Sequence, residues 1–336
     1  MTTDNIDNVD TTRPTAIYAP TGGRSYTVSV AIPASLIHNA KAKLDLRTYL
    51  AGEVARAISV FCVDEVVIFN DGDMPDSDYS RRPPNPKSTK TTAMSHPGHF
   101  LQHILSYMET PPFLRKRLFP FHENLEKAGI LQSLDIPSHL RANEWCEYRE
   151  GITTRIEPQG THVDCGLPNQ RLVKGVEIPP DTRVTLRLNM QNENDAVAVS
   201  PATPREEAGY YWGYVIREAS SLSAVFTECG FDGGYDLSIG TSERGNDIAD
   251  VIDGILENDV RNSWQHVVIV FGGVKGLEEA AKYDEDLVRM GMGKGNVGEL
   301  FDHWVNLLPG QGSRTIRTEE ALWMGLMATR KLVANR

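Results

Sequence analysis

The chain has 336 residues, 34 basic and 45 acidic side chains, and a formal net charge of −11. Its 40% apolar and 24% charged residues are typical of a globular protein with a sizeable core, which excludes a collagen-like or wholly disordered chain. The longest apolar run, residues 266–272, is far too short to cross a bilayer, so we expect no membrane partner. The acidic balance argues against indiscriminate coating of nucleic acid, because phosphates attract Lys and Arg.

Residues 1–20 lack the basic and then apolar layout of a signal peptide, so we expect an intracellular protein. The four cysteines are far apart and form no C-x-x-C pair, which argues against a zinc ribbon, a redox motif or a disulfide framework. We therefore predict buried free thiols at Cys62, Cys146, Cys165 and Cys229.

The first part of the chain predicts a disordered tail and then a parallel sheet. Residues 1–24 are polar and acidic, as in disordered segments. A strand at residues 26–32, a helix over 35–61 and a strand at 65–69 give the β-α-β pattern of parallel strands. Residues 71–97 have no periodicity and predict a mobile insertion. Helices are predicted at residues 99–108, 112–118 and 124–128.

The middle of the chain predicts a small barrel. Between about residues 149 and 205, Gly, Pro and Asn separate short β-runs at the spacing expected of a barrel or sandwich, and a five-stranded OB-like barrel fits. These runs are residues 151–156, 161–165, 171–176, 183–188 and 196–199.

The α/β pattern then resumes, with predicted strands at residues 211–216, 235–240, 266–271 and 304–308 and a last helix over 318–333. We expect one α/β domain, residues 25–145 and 207–336, interrupted by the barrel, residues 146–206.

Several familiar sites are excluded or weak. Residues 293–298 match the dinucleotide pattern G-x-G-x-x-G, but a charged, helix-like stretch precedes them where the fingerprint needs a strand. A P-loop is absent. His99 and His103 stand at i, i+4, yet no third ligand has a usual spacing, so helix-surface histidines are the better interpretation and we expect no metal.

Three glycine-rich polar loops follow predicted strands of the C-terminal half: residues 240–245, 272–278 and 306–320. Glycines at the carboxyl ends of parallel strands let the backbone approach a flat ligand. A tight turn explains each loop alone better than a ligand site does, whereas all three together indicate a small-molecule site. Thr318 can also cap the final helix.

These loops, together with residues 46–57, 149–151, 209–214 and the string QGSRTIRTEEA within residues 310–321, closely resemble one family. It is the branch of SPOUT (α/β-knot) RNA methyltransferases that carries an OB-like insertion. Its eukaryotic members look like ribosomal-RNA uridine-N3 methyltransferases, associated with the spindle and centromere in animals. The resemblance covers residues 26–331 apart from the predicted insertion.

The resemblance implies a parallel sheet with helices on both faces, whose C-terminal part is threaded into a trefoil knot, an exception to the rule against knots. It also implies S-adenosyl-L-methionine as cofactor, S-adenosyl-L-homocysteine as product, and a homodimer with the active site at the subunit interface. The cofactor-binding residues that it implies are Thr241, Glu243, Arg244, Gly272, Gly273, Asn306, Leu307, Pro309, Gly310, Gln311, Gly312, Ser313, Thr315, Ile316, Arg317 and Thr318.

Candidate catalytic residues are fewer. Methylation of uridine N3 requires loss of a proton, by a general base or with a cation that stabilises the uridine anion. Related enzymes place an arginine of the first helix near the partner subunit's cofactor, and here Arg56, before Arg47, is the candidate. A helix-face salt bridge such as Glu53 with Arg56 explains either arginine at least as well. Glu243 either faces the sulfonium or pairs with an arginine such as Arg244.

RNA is the expected partner, specifically rRNA. Arg314 lies beside the implied cofactor loops, and Arg115, Lys116 and Arg117 form the best basic patch with neighbouring aromatics, although an amphipathic helix end explains that patch almost as well. We expect the nucleus or nucleolus, and also the cytoplasm or spindle. The alternative function is a knot-fold RNA-binding or spindle- and kinetochore-associated assembly protein with a vestigial cofactor site.

Overall fold

The computed structural model describes residues 22–38, 43–72, 96–189, 195–257 and 264–333. Most of the predicted tail (1–24) and of the predicted insertion (71–97) lies outside the described residues. The chain forms two compact units. Among the described residues, 26–38, 43–72, 96–108, 122–132, 214–257 and 264–333 form what we call the sheet unit, and 22–25, 109–121, 133–189 and 195–213 form the barrel unit.

The sheet unit alternates strands and helices along the chain. Its strands are β1 (Thr27–Pro33), β2 (Glu65–Phe69), β8 (Val215–Ala219), β9 (Leu237–Asp247), β10 (His266–Val270) and β11 (His303–Asn306). Its helices are α1 (Ser35–His38), α2 (Leu44–Val60), α3 (Pro97–Glu109), α6 (Ala224–Thr227), α7 (Ile248–Glu257), α8 (Leu277–Tyr283), α9 (Glu285–Arg289) and α10 (Thr318–Val333).

All neighbouring strands of this sheet run parallel, in the order β11-β9-β10-β1-β2-β8. Val30 in the middle of β1 is paired with Ile269 on one side and Val66 on the other, and all three are buried. Such strands are covered on both faces, which explains why their sequences are apolar runs without alternation. The predicted mixed α/β architecture with a parallel sheet flanked by helices is confirmed.

The pairing of β9 with β11 is irregular at the point where the first glycine-rich loop was predicted. Trp304 is paired with Gly240, and the next residue, Val305, is paired with Asn246. Residues 241–245 therefore bulge between two sections of one ladder instead of forming a turn after the strand. A Cβ at Gly245 would come within 2.3–2.5 Å of the Val305 backbone, so only glycine fits there.

The barrel unit contains five strands that close into a barrel in the order β3-β4-β5-β7-β6. They are β3 (Tyr148–Glu157), β4 (Gly160–Asp164), β5 (Arg171–Lys174), β6 (Arg183–Leu188) and β7 (Asp195–Val199), and each predicted β-run overlaps one of them. Val163, Cys165, Val173 and Leu186 pack in its core. The same unit contains α4 (Pro112–Leu118) and α5 (Thr203–Ala208).

A charged cluster is buried in the barrel unit. The Arg183 guanidinium donates to both carboxylate oxygens of Glu109, at 2.6 and 2.9 Å, and to Glu150 Oε2 at 2.6 Å. The other Glu150 oxygen accepts from Thr185 Oγ1 at 2.6 Å and from Trp212 Nε1 at 2.7 Å. Every oxygen of the two carboxylates therefore has a donor, as burial of charge requires.

Three sequence expectations differ from the structure. Strand β8 begins at Val215 and not at residue 211, because Gly213 with φ +106 breaks the extended run. The predicted helix at residues 124–128 is two 3₁₀ turns, Glu123–Leu125 and Ala128–Ile130, the first capped by the His122 ring. The helix predicted over 35–61 is α1 and α2, with residues 39–42 outside the described part.

The four cysteines are free. Cys146 and Cys165 are buried as predicted, whereas Cys62 and Cys229 are only half-buried. Within the described part of the chain, no helix is long and apolar enough to cross a membrane.

Candidate functional site

The carboxyl ends of β9, β10 and β11, three adjacent strands, open into a cleft that holds about 1030 Å³ of solvent space. Parallel sheets bind ligands at this edge. The cleft is lined by Thr241, Ser242, Glu243, Arg244, Gly272, Gly273, Val274, Lys275, Gly276, Glu278, Lys294, Asn306, Leu307, Gln311, Arg314, Thr315, Ile316 and Ala321.

Hydrogen bonds between distant parts of the chain fix the loops around this cleft. Thr241 Oγ1 donates to the Val270 carbonyl at 3.1 Å, and Thr318 Oγ1 donates to the Gly272 carbonyl at 2.9 Å. Asn306 Nδ2 donates to the carbonyl of Glu243 at 2.9 Å. The three predicted loops are thus joined to one another, as a preorganised ligand site requires.

A buried carboxylate forms a second link. Glu278 is 8% exposed, and its Oε1 accepts from Ser242 Oγ at 3.0 Å and lies 3.7 Å from Arg244 Nη1. Among the described residues, the ion partner of Arg244 is therefore Glu278, while Glu243 is exposed at the cleft. Of the two alternatives for Glu243, a pairing with Arg244 is not what the described contacts show.

Two glycines of the 272–278 loop lie where side chains would collide. A Cβ at Gly272 would be 2.9 Å from the Leu277 nitrogen. A Cβ at Gly273 would be 2.9 Å from both Asp71 Oδ2 and Ser35 Oγ, a buried pair whose own hydrogen bond is 2.5 Å. The loop therefore lies directly on the ends of β1 and β2.

The lining of the cleft combines both charges with an apolar part. Four cationic side chains, Arg244, Lys275, Lys294 and Arg314, face the same space as two carboxylates, Glu243 and Glu278. The apolar lining residues are Val274, Leu307, Ile316 and Ala321. A ligand with a carboxylate, a cationic centre and an aromatic ring would find complementary groups here.

Ten of the sixteen predicted cofactor residues line the cleft: Thr241, Glu243, Arg244, Gly272, Gly273, Asn306, Leu307, Gln311, Thr315 and Ile316. The other six are not in its lining: Pro309, Gly310, Gly312, Ser313, Arg317 and Thr318. Thr318 still supports the site through its bond to Gly272, and Arg317 N donates to Glu320 Oε2 at 2.8 Å as part of the helix start.

Seven lining residues were not among the predicted site residues: Ser242, Val274, Lys275, Gly276, Glu278, Lys294 and Ala321. Five of them lie inside the quoted loops, so the loops were a sufficient signal for them. Ala321 directly follows the third loop. Lys294 comes from the glycine-rich stretch that had failed as a dinucleotide fingerprint.

Neither candidate catalytic arginine lines the cleft of its own chain. Arg47 is in the first turn of α2 and 3% exposed, and burial lowers its pKa. Arg56 lies nine residues further along the same helix and is half-buried. Because α2 follows the carboxyl end of β1, Arg47 is the nearer of the two to the edge of the sheet that carries the cleft.

The predicted RNA-binding residues fall in two places. Arg314 lines the cleft. Arg115, Lys116 and Arg117 are on α4 in the barrel unit. Arg115 Nε donates to the Thr110 carbonyl at 2.9 Å, Arg117 pairs with Asp181 at 2.5 Å, and Lys116 is exposed. Of this patch, Lys116 is the side chain most available to a partner.

The histidines on α3 form a ring-contact series and no metal cluster. The ring centroids of His99 and His103 are 6.3 Å apart, and those of His103 and His122 are 4.7 Å apart. Burial, with the two neighbouring histidines, lowers the pKa of His103 to about 4. Among the described residues, no group of three or more His, Cys, Asp or Glu could hold a metal ion.

Comparison with known proteins adds to this geometry. The model of a family described as "Putative RNA methyltransferase" matches residues 27–329. The human 28S rRNA (uridine-N(3))-methyltransferase is 44% identical over 91% of this chain and 78% of its own length. The Drosophila melanogaster protein of that name is 40% identical over 90% of this chain and 61% of its own length. A "Putative methyltransferase" of Caenorhabditis elegans is 31% identical over 83% and 72%, respectively.

Proposed function

Because this chain belongs to that family of RNA methyltransferases, we propose that it transfers a methyl group from S-adenosylmethionine to N3 of a uridine in large-subunit rRNA. The predicted membership of an RNA methyltransferase family is confirmed. The observation that carries the choice of substrate is the 44% identity, over 91% of this chain, to the human 28S rRNA (uridine-N(3))-methyltransferase.

The lining of the cleft fits the proposed cofactor. S-adenosylmethionine has a carboxylate, an ammonium group, a sulfonium and an adenine ring. Arg244 suits the carboxylate, Glu243 suits the cationic groups, and Leu307 with Ile316 suits the adenine. The absence of side chains at Gly272 and Gly273 lets the 272–278 loop pack closely on itself and on the ends of β1 and β2, which fixes this wall of the cleft.

The methyl transfer requires little covalent participation by the protein. The cofactor supplies the methyl group as an electrophile on its sulfonium. The loops position the two reactants, and positioning accounts for much of the rate in such a displacement. The uridine must lose its N3 proton, and the cations of the cleft favour the resulting anion electrostatically.

The proposed fold is a SPOUT knot with an OB-like insertion. The knot domain comprises residues 25–145 and 207–336, and the insertion comprises residues 146–206. Two observations support it. Strand β9 lies between β10 and β11 although it precedes both in the chain, a strand order compatible with the proposed knot. The five-stranded closed barrel has the strand number of an OB-fold.

We also propose a homodimer. Five exposed large apolar side chains lie on α2 and α10, and the two helices contact each other beside the Phe61–Trp323 ring contact at 5.6 Å. Leu46 is 52% exposed, Tyr49 46% and Met327 66%. Burial of this face against a second copy would remove it from water and would bring Arg47 or Arg56 towards the partner's cleft. Sedimentation of the pure protein tests this, because a monomer at micromolar concentration would contradict it.

Calorimetric titration with S-adenosylmethionine tests the activity. We expect S-adenosylmethionine to bind, with S-adenosylhomocysteine as a competitor. We also expect the protein to methylate N3 of a uridine when it is given large-subunit rRNA purified from cells that lack the protein. An unchanged content of N3-methyluridine in that rRNA would contradict the substrate. Absence of cofactor binding at millimolar concentration would instead favour the alternative, an RNA-binding or spindle-associated protein with a vestigial site. The proposed substrate agrees with a nucleolar location, which fluorescence imaging of the tagged protein would test.

Glu278 is expected to position the loops and not to contact the sulfonium. Because Glu278→Ala removes the partner of Ser242 and Arg244, we expect the affinity for S-adenosylmethionine to fall by about 1–2 kcal/mol, roughly 5- to 30-fold. Glu278→Gln keeps an acceptor for Ser242 and should lose less. S-adenosylhomocysteine, which lacks the sulfonium charge, should lose as much affinity as S-adenosylmethionine. A loss confined to S-adenosylmethionine in the titration would contradict the positioning role.

A further inference from the structure

The glycine-rich stretch at residues 291–298 follows α9 and has no place in a dinucleotide site. It nevertheless reaches the cleft, because Lys294 is part of the lining. Lys275, from the loop after β10, lines the same cleft. Two lysines from separate segments therefore converge on one space.

The segment that carries Lys294 is well anchored. Asn296 Oδ1 accepts from the Gly293 nitrogen at 2.8 Å, and Asn296 Nδ2 donates to the Gly291 carbonyl at 3.3 Å. Val297 is buried in the core of the sheet unit, and a Cβ at Gly298 would be 3.1 Å from the Trp304 ring. Lys294 thus projects from a turn that is fixed on both sides, while its own side chain is exposed.

The charge of the cleft favours an anion. Arg244, Lys275, Lys294 and Arg314 outnumber Glu243 and Glu278 there, in a chain with a net charge of −11. Glu278 is already engaged by Ser242 and Arg244. A concentration of cations against the overall charge marks a local site for a polyanion.

We propose that Lys275 and Lys294 bind a backbone phosphate of the substrate RNA next to the nucleotide that receives the methyl group. The inference rests on the proposed function. Lysine binds phosphate as a flexible point charge, which suits a backbone contact that must hold many local RNA conformations. Such contacts fix the register of the RNA and carry no sequence information.

The test uses the full-length protein and variants Lys275→Ala, Lys294→Ala and the double variant. The control is Lys331→Ala on α10, an exposed lysine outside the cleft that pairs with Asp253 at 3.0 Å. Binding of a fluorescein-labelled RNA hairpin with a uridine-rich loop is measured by anisotropy across a salt series. Each single variant is expected to weaken RNA binding about fivefold, whatever the loop sequence. The slope of log affinity against log salt concentration is expected to become shallower by about one. Lys331→Ala should match the wild type.

Calorimetry with S-adenosylmethionine separates the possible failures. If the wild type binds neither cofactor nor RNA, the proposed function fails. If the wild type binds both and Lys275→Ala with Lys294→Ala leaves RNA binding and its salt dependence unchanged, the lysine inference is overturned while the function stands. Weaker cofactor binding with unchanged RNA binding would assign these lysines to the cofactor carboxylate and would also overturn the lysine inference.

Discussion

Substituting valine for Gly273 is expected to weaken S-adenosylmethionine binding by roughly one to two orders of magnitude, because overpacking costs about 1–3 kcal/mol and about 1.4 kcal/mol is tenfold. The new Cβ would lie 2.9 Å from Asp71 Oδ2 and from Ser35 Oγ, both in a buried pair. The loop must then lift away from the ends of β1 and β2 and strain the bond from Thr318 to Gly272. Calorimetric titration measures the loss.

Two further variants make this result specific. Gly254→Ala on α7, where a Cβ meets nothing within 4 Å, is the matched glycine control and should bind as the wild type does. Gly273→Ala combined with Ser35→Ala removes one of the two colliding atoms and should bind more tightly than Gly273→Ala alone. Equal affinity of Gly273→Val and the wild type would show that this loop does not hold the cofactor.

The sequence was most informative where burial is continuous. Strand β2 and helices α4 and α10 have the predicted ends, β1 is shifted by one residue at both ends, and β10 ends one residue earlier than predicted. Apolar runs bounded by Gly, Pro or charge identify such elements because both faces of the sheet are covered. The three glycine-rich loops indicated the cleft for the same kind of reason, since carboxyl ends of parallel strands share one edge.

Elements that depend on distant partners were not predictable in the same way. Lys294 reaches the cleft only because the turn at residues 291–298 packs against Trp304. The bulge at residues 241–245 is set by its second pairing with β11, some sixty residues later. Glu278 has the sequence context of an ordinary helix-start acid, and its burial against Ser242 is visible only in the fold.

The charged cluster of the barrel unit is a further example. Nothing in the sequence around Glu109, Glu150 and Arg183 indicates that these side chains contact one another, because they lie up to 74 positions apart in the chain. Burial lowers the pKa of Arg183, but hydrogen bonds and attraction from Glu109 and Glu150 outweigh it, so the net pKa is raised and the guanidinium stays charged. Burial raises the pKa of Glu109 above its ordinary value, against the opposing effect of Arg183.

Replacing Arg183 with leucine is therefore expected to destabilise the protein by about 3–5 kcal/mol at neutral pH, because two buried carboxylates lose their cation. Without Arg183 the pKa of the Glu109 carboxyl rises further above that of the unfolded chain. Folding then favours its protonated form, so the deficit should shrink as the pH falls from neutral to about 5. Urea unfolding across this pH range measures it.

Arg155→Leu is the matched control, since Arg155 belongs to the same barrel, is 61% exposed and pairs only at the surface with Glu157. Surface pairs contribute about 0–1 kcal/mol, so this variant should remain near the wild type at every pH. A deficit for Arg183→Leu that does not change with pH would mean that lost packing, and not the stranded carboxylates, destabilises the variant. In that case the cluster would hold the barrel unit together by shape more than by charge.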